Sequence, residues 1–436
     1  MLKKSIALLA LMAIAPGAAL ASSALCVNVP GVVALTDSRG SELLENGRFE
    51  DIFPVREDAL YAAGSGGDYR LYDALGQPLG DITFSMIDDA GDALVYRVGT
   101  RYGALDPAGG ELLPARWTQL TPDGAGGWLA LEDDPFDEQP DELIHIDASG
   151  TAAATGVRVA GGLSPVVDGR MPFVDEDGRF GAVNALGAVA IGATWLYLGP
   201  FSDGLAKARG PEGLGLVDAG GRPVVPPVYA WLERSRAMVA AMRDGGLDVF
   251  GPHGGQRRFT LPGPIVEAAM VGEALAVNYG DRTCLYDAAG GQLARFDAGT
   301  VLAPGCGGQF VASGGAWGEA CQWLVDPDGS PASGRFQQIL PLGASRYAFL
   351  VMEGIEYYSA ELGRVQSSWD YAGGCYGLLD DRGRVLLPAQ YREIRALGDD
   401  RLLLVGEEEV LLTDRDGATI RVWATGSAAP TAEAGE

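Results

Sequence analysis

The chain has 436 residues, with 32 lysines and arginines against 58 aspartates and glutamates, a formal charge of −26 at neutral pH, and 64 glycines. So large an acidic excess opposes attraction to phosphate backbones and argues against a nucleic-acid partner. The length exceeds what one hydrophobic core fills, so several domains or a modular array are required.

The chain opens with MLKKSIALLALMAIAPGAALASSALC. Lys3 and Lys4 precede an apolar run, and Ala19-Leu20-Ala21 places small residues at the −3 and −1 positions of a cleavage site. Residues 1–21 therefore read as a secretory signal peptide, the alternative being a retained N-terminal anchor. Leu25 before Cys26 disfavours a lipid-modified cysteine. No later segment is long and apolar enough to cross a bilayer, so no stable membrane insertion is expected. The mature chain reads as exported, periplasmic or secreted. Removing Lys3 and Lys4 leaves 30 cations against 58 anions, a charge of −28, with Lys207 the one remaining lysine. This charge is spread along the chain and reads as solubility.

From residue 22 to 422 one pattern recurs. An Asp or Asn is followed three residues later by Gly at Asp37–Gly40, Asp73–Gly76, Asp106–Gly109, Asp147–Gly150, Asn184–Gly187 and Asp218–Gly221. A degenerate copy, VFGPHGG, follows, and then Asp287–Gly290, Asp326–Gly329, Asp380–Gly383 and Asp414–Gly417. Asp at the first and Gly at the fourth position suits a type I turn ending in a left-handed residue, and the short apolar flanks make each copy a hairpin. Four copies carry Gly three residues before the Asp or Asn, as in YGALD, FGAVN, LGLVD and YGLLD. Pro114, Pro226 and Pro388, eight residues after it, are expected to mark the strand's end, since proline donates no ladder hydrogen bond.

Eleven residues after the Asp or Asn stands an aromatic in five copies: Phe84, Trp117, Trp195, Tyr229 and Tyr391. Three further on comes an aliphatic in the same five: Ile87, Leu120, Leu198, Leu232 and Ile394. These large apolar side chains are expected to pack against the next copy, each buried ring contributing a few kcal/mol at about 25 cal/mol per Å². A single copy cannot cover both its faces, so neighbours must.

RYGALDPAGGELLPARW, RFGAVNALGAVAIGATW with FSDGLAKA, LGLVDAGGRPVVPPVY and CYGLLDDRGRVLLPAQY together resemble the WG repeat. The signature Trp is replaced by Tyr, Phe or Leu. The resemblance implies a β-rich, propeller- or solenoid-like array and carries no general catalytic signature. The expected fold is all-β: about eleven tandem hairpin repeats forming a β-propeller-like or spiralling β-solenoid array. Because eleven four-stranded blades exceed a common propeller, two smaller rings or an open spiral enter the expectation.

Two places break the period. Residues 132–142, EDDPFDEQPDE, hold seven carboxylates among eleven residues and read as an acidic solvated loop, with calcium binding the alternative. Between Asp326 and Asp380 the extra stretch VMEGIEYYSAELGRVQSSWDYAGG is expected to add a hairpin turning at SAELGR. Its Tyr357, Tyr358, Trp369 and Tyr371 are the candidate binding residues, since exposed rings stack on sugars or anchor proteins. The alternative is that they pack on the array. The last residues, 423–436, read as a disordered tail.

Of five cysteines, none with paired CxxC spacing, Cys306 and Cys321 are the chosen disulfide pair, against the alternative of five buried thiols. His145 and His253 come with no nucleophile motif and read as structural, and the acids Asp175, Glu176 and Asp177 read as a solvated connection. No catalytic residue, metal ligand or cofactor is assigned. The function that follows is a non-catalytic scaffold binding a protein or a cell-envelope glycan. The alternative is a carbohydrate-active hydrolase whose carboxylates come from several repeats.

Overall fold

Each repeat begins with its turn. Asp218 shows the geometry: its Oδ1 accepts the amides of Gly220 and Arg222, both at 2.9 Å, and Gly221 sits at φ +79°. The same pair of side-chain hydrogen bonds, to the amides two and four residues on, forms at Asp37, Asp73, Asp106, Asp147, Asn184, Asp287, Asp380 and Asp414. Asp326 departs, its carboxylate accepting the Gln309 side chain instead, and the VFGPHGG copy turns at Gly254.

A computed structural model describes residues 24–132, 140–315, 321–352 and 373–425, together with the strand backbones at 354–359 and 364–369. Every strand pairing among the named strands is antiparallel. The sheets form eleven blades: 25–44, 51–84, 86–117, 119–159, 170–195, 197–229, 231–261, 267–297, 301–325, 338–391 and 393–424. Among the described residues eight have four strands, while blades 1, 5 and 9 have three, and a separate two-stranded sheet springs from blade 10. First strands of successive blades approach one another, as Asp51–Arg56 does Met86–Asp89, and so form the inner edge.

Eleven apolar clusters join each blade to the next, and the last of them joins blade 11 to blade 1. The array is therefore one closed β-propeller of eleven blades, and neither an open spiral nor two rings. In the closing cluster Leu25, Val27 and Val32 pack with Leu403, Val410, Leu412 and Trp423. The Trp423 indole donates to Glu42 at 2.8 Å, and Arg421 bridges Glu42 and the carbonyl of Gly40. Trp423 thus belongs to the strand Thr419–Ala424 and not to a tail beginning at 423.

The recurrent apolar residues meet as expected. Phe84 shares a cluster with Ile87, Trp117 with Leu120, Trp195 with Leu198, Tyr229 with Leu232 and Tyr391 with Ile394, each joining one blade to its successor. The early glycine has a packing role. Gly103, Gly181 and Gly377 pair directly with Tyr96, Phe173 and Phe349, whose rings occupy the place of a Cβ. The prolines are a correction: Pro114, Pro226 and Pro388 lie inside the fourth strands Glu111–Trp117, Pro223–Tyr229 and Val385–Tyr391. Those strands form the outer edge, beside shifts in pairing register, where a missing N–H leaves no partner unsatisfied.

Polar contacts latch neighbouring blades. Arg170, opening the first described strand of blade 5, and Arg346 and Arg401, each opening a second strand, donate Nε to the carbonyls of Ala219, Arg415 and Ser38 in the next blade's Asp–Gly turn. Gln309 reaches the equivalent carbonyl of Asp381 at 2.7 Å. Between blades 6 and 7, Asp248 accepts Tyr229, Arg257 and Thr260 at 3.0, 3.0 and 2.6 Å. Burial pushes the Asp248 pKa up, but these hydrogen bonds outweigh it and hold the carboxyl below the ordinary range.

The closing cluster makes Trp423 indispensable. Trp423→Ala is expected to cost about 3–5 kcal/mol and to raise amide exchange in both 25–36 and 401–414, while ending the chain after Thr425 changes neither. Equal exchange in the variant and the parent would show that the seam does not depend on this ring. For Asp248, a folded pKa below the unfolded one means stabilisation that is complete above the unfolded value, near 4, and lost as pH falls through the lowered folded value. Asp248→Asn is expected to flatten the acid limb of a stability–pH curve; an identical acid slope would count against the cluster.

Candidate binding face

Strand alternation gives the ring two unlike faces. Turns from first to second strand and the Asp–Gly turns from third to fourth lie on one, here the turn face. Turns from second to third strand and the blade-to-blade connections lie on the other, the connection face. The turn face is filled with structural contacts: the repeat carboxylates are occupied there by backbone amides, and turn glycines press on the preceding blade. A Cβ on Gly221 would lie 2.9 Å from Ile191, and one on Gly417 2.7 Å from Leu387.

Both breaks in the period fall on the connection face. The acidic segment 132–142 joins the second strand of blade 4, Trp128–Leu131, to the third, Asp141–Ile146. The aromatic insertion joins Arg346–Val351 to Cys375–Asp380 in blade 10, again second strand to third. Of the acidic segment, 133–139 lies outside the described residues; at its start Glu132 pairs with Arg116 at 3.2 Å.

The insertion forms the expected hairpin. Gly354–Ser359 pairs antiparallel with Arg364–Trp369, placing Tyr357 and Tyr358 opposite Gln366 and Val365 and Trp369 opposite Gly354 at the base. The SAELGR turn between these strands lies largely outside the described residues, as does Tyr371. On the same face, Val266, Val301 and Val351 of blades 8, 9 and 10 are 65%, 63% and 43% exposed. They stand at the connection-face ends of strands in three consecutive blades. Sequence reading missed them because each valine stands singly in or beside an ordinary strand, with nothing local to mark it as uncovered.

The remaining candidates have structural roles or stand apart. Asp175 caps its own turn, accepting the amides of Asp177 and Arg179. His145 lies 3.1 Å from the buried carboxylate of Asp123, which also accepts the amides of Ala125 and Gly127. His253 lies in the turn between Gly251 and Gly254. Among the described residues no group of three His, Cys, Asp or Glu side chains is placed to hold a metal.

No family model matches the chain, and no curated protein does. Among solved structures it is similar to a eukaryotic initiation factor, at 11% identity and TM-score 0.44, covering 84% of this chain and 96% of that one. It is also similar to BamB from Moraxella catarrhalis, at 17% and 0.31, covering 64% and 91%. A third is apo AztD from Citrobacter koseri, at 12% and 0.30, covering 63% and 94%. The propeller assignment rests on this chain's own sheets and clusters.

The expected Cys306–Cys321 bridge is overturned. Cys321 pairs with Gly314 at one end of the strand Phe310–Gly314, while Cys306 precedes the other end, where Phe310 pairs with Val325. A strand of that length, at about 3.3 Å per residue, separates them beyond the ~7 Å Cα span of a disulfide. All five cysteines are free. Burial, with Asp51 second, pushes the Cys26 thiol up to about 12, which leaves it unreactive in the folded chain. A thiol titration of the denatured, unreduced protein is expected to find all five; a count of three would restore a bridge.

Proposed function

We propose that the protein is an exported, non-catalytic WG-repeat-type scaffold that binds a protein or a cell-envelope glycan through its connection face. The observation that carries this reading is topological: both segments that break the repeat issue from second-to-third turns and so lie on one face. The opposite face is taken up by turn carboxylates, close-approach glycines and blade latches. A surface that varies while the ring is maintained is where a propeller places recognition. The hairpin carries Tyr357, Tyr358 and Trp369, residue types suited to stacking on a sugar face or anchoring a protein. Val266, Val301 and Val351 add exposed apolar positions on three consecutive blades of the same face. Export rests on the Lys3–Ala21 leader pattern, and the acidic, arginine-biased surface suits a soluble envelope or secreted protein.

The immobilised chain from residue 22 is expected to retain a defined protein or glycan from envelope extract. The triple variant Tyr357→Ala, Tyr358→Ala, Trp369→Ala should then weaken binding of that purified partner by about tenfold or more, with the melting curve unchanged. Equal binding by the triple variant would remove the hairpin from the interface. Turnover of a retained glycan, lost on a single carboxylate substitution, would replace the scaffold reading by the hydrolase one.

A further inference from the structure

At the junction of blades 3 and 4 the connection face opens into a cavity of about 500 Å³, lined by Arg97, Tyr102, Thr118, Gln119 and Thr121 and bounded by the segment 163–165. It lies on different blades from the aromatic hairpin and is argued from its own atoms. Arg97 comes from the second strand of blade 3, Tyr102 from the third, Gln119 and Thr121 from the first strand of blade 4, and Thr118 from the connection between them.

The polar groups of this cavity are left unmatched by the fold. Thr118 is only 5% exposed, yet its hydroxyl has no hydrogen-bond partner, and the buried Nε of Arg97 has none either. Five such buried atoms occur among the described residues, and these two belong to residues of one cavity. Both atoms are closed off from its open space, so what the cavity presents to a ligand is the two terminal nitrogens of the Arg97 guanidinium and the Gln119 amide. No described carboxylate pairs with Arg97, although anions outnumber cations 58 to 32 along the chain. The Tyr102 ring lies 6.0 Å from the guanidinium carbon. Gln119 has its amide oxygen held by the Leu163 N–H at 2.5 Å, which leaves its Nε2 donors for a ligand.

We propose that this cavity binds a carboxylate-bearing ligand of monosaccharide size, a hexuronic acid being the type. The planar guanidinium of Arg97 takes the carboxylate through two parallel hydrogen bonds, a geometry to which it is matched. The Gln119 amide serves a ring hydroxyl, and Tyr102 offers an apolar face beside it. The volume lies within the range of small-ligand pockets. A cation with no acidic partner among the described residues, in an acidic protein, suits a monoanion better than a phosphate dianion.

Titration calorimetry on the full mature chain, with D-glucuronate, D-glucose, acetate and inorganic phosphate as probes, tests the assignment. Glucuronate is expected to bind about tenfold or more tighter than glucose, and to weaken as sodium chloride rises from about 50 to about 500 mM. Arg97→Gln should lose about tenfold or more, whereas Thr118→Val should leave binding unchanged and raise the melting midpoint of the free protein, because it removes an orphaned hydroxyl. If Arg97→Gln does not fold, Arg97→Lys keeps the charge without the fork and is expected to weaken binding severalfold. Equal affinity for glucose and glucuronate, tighter binding of phosphate, no binding of glucuronate, or an Arg97 variant with undiminished affinity each overturns the proposal.

Discussion

Every feature of this protein follows from one constraint: a blade is apolar on both faces, and each face must be covered by another blade. A stack of such sheets would end in two exposed apolar surfaces unless the ends met. Here they do, through Leu25, Val27 and Val32 against Leu403, Val410 and Leu412. The second strands are rich in alanine, with Ala62, Ala130, Ala206, Ala240 and Ala348 fully or almost fully buried, which lets neighbouring sheets approach closely along their middles. The large residues concentrate where a fourth strand hands over to the next first strand. Tyr229 with Leu232, and Tyr391 with Ile394, fix the angle at which one blade follows another.

The same constraint divides the two faces of the ring. On the turn face, the Asp–Gly turn must approach the preceding blade, so its fourth residue carries two requirements at once, a left-handed backbone and no Cβ. Gly109, at φ +84° and with an ideal Cβ 2.6 Å from Leu79, shows both. The latches from Arg170, Gln309, Arg346 and Arg401 land on that same turn. Insertions there would break the contact between blades. Among the described residues the connection face carries no such repeated contact at its second-to-third turns, and that is where blade 4 extends its acidic segment and blade 10 its hairpin. Variation is permitted where closure does not depend on the chain.

Much of this was legible in the sequence because it is written in period. The Asp–Gly turns, the ring eleven residues on and the aliphatic fourteen residues on recur often enough to be read, and each occupies the place its chemistry predicts. What escaped reading is what does not recur or depends on distance. The latch residue is arginine or glutamine in four blades and something apolar or small in others, so no column of the repeat reveals it. Trp423 lies in a copy cut short by the end of the array, and only the meeting with Glu42, some 380 positions earlier, gives it a partner. The prolines were misread because an outer-edge strand tolerates what an inner one does not. Cys306 and Cys321 looked adjacent because they flank one strand, which is the arrangement that keeps them apart. At the candidate face, the aromatic insertion was visible as a lapse in the period, whereas Val266, Val301 and Val351 showed as uncovered only when three blades stood side by side.

Closure also carries a folding cost. Ten of the eleven interfaces join blades adjacent in sequence and can form as each hairpin is made, whereas the seam joins residue 25 to residue 423. Loop closure over that distance comes late, because the entropy of bringing the ends together precedes any gain from their contact. Until then the outward faces of blades 1 and 11 expose valine and leucine strands suited to pairing with another chain. A net charge of −26 makes two such incomplete rings repel one another as wholes, although it is unevenly distributed: blade 7 carries five arginines against three carboxylates. The turn aspartates of eight blades, from Asp37 to Asp414, therefore act twice: each holds backbone amides in the finished ring, and each adds to the charge that sets unfinished rings apart.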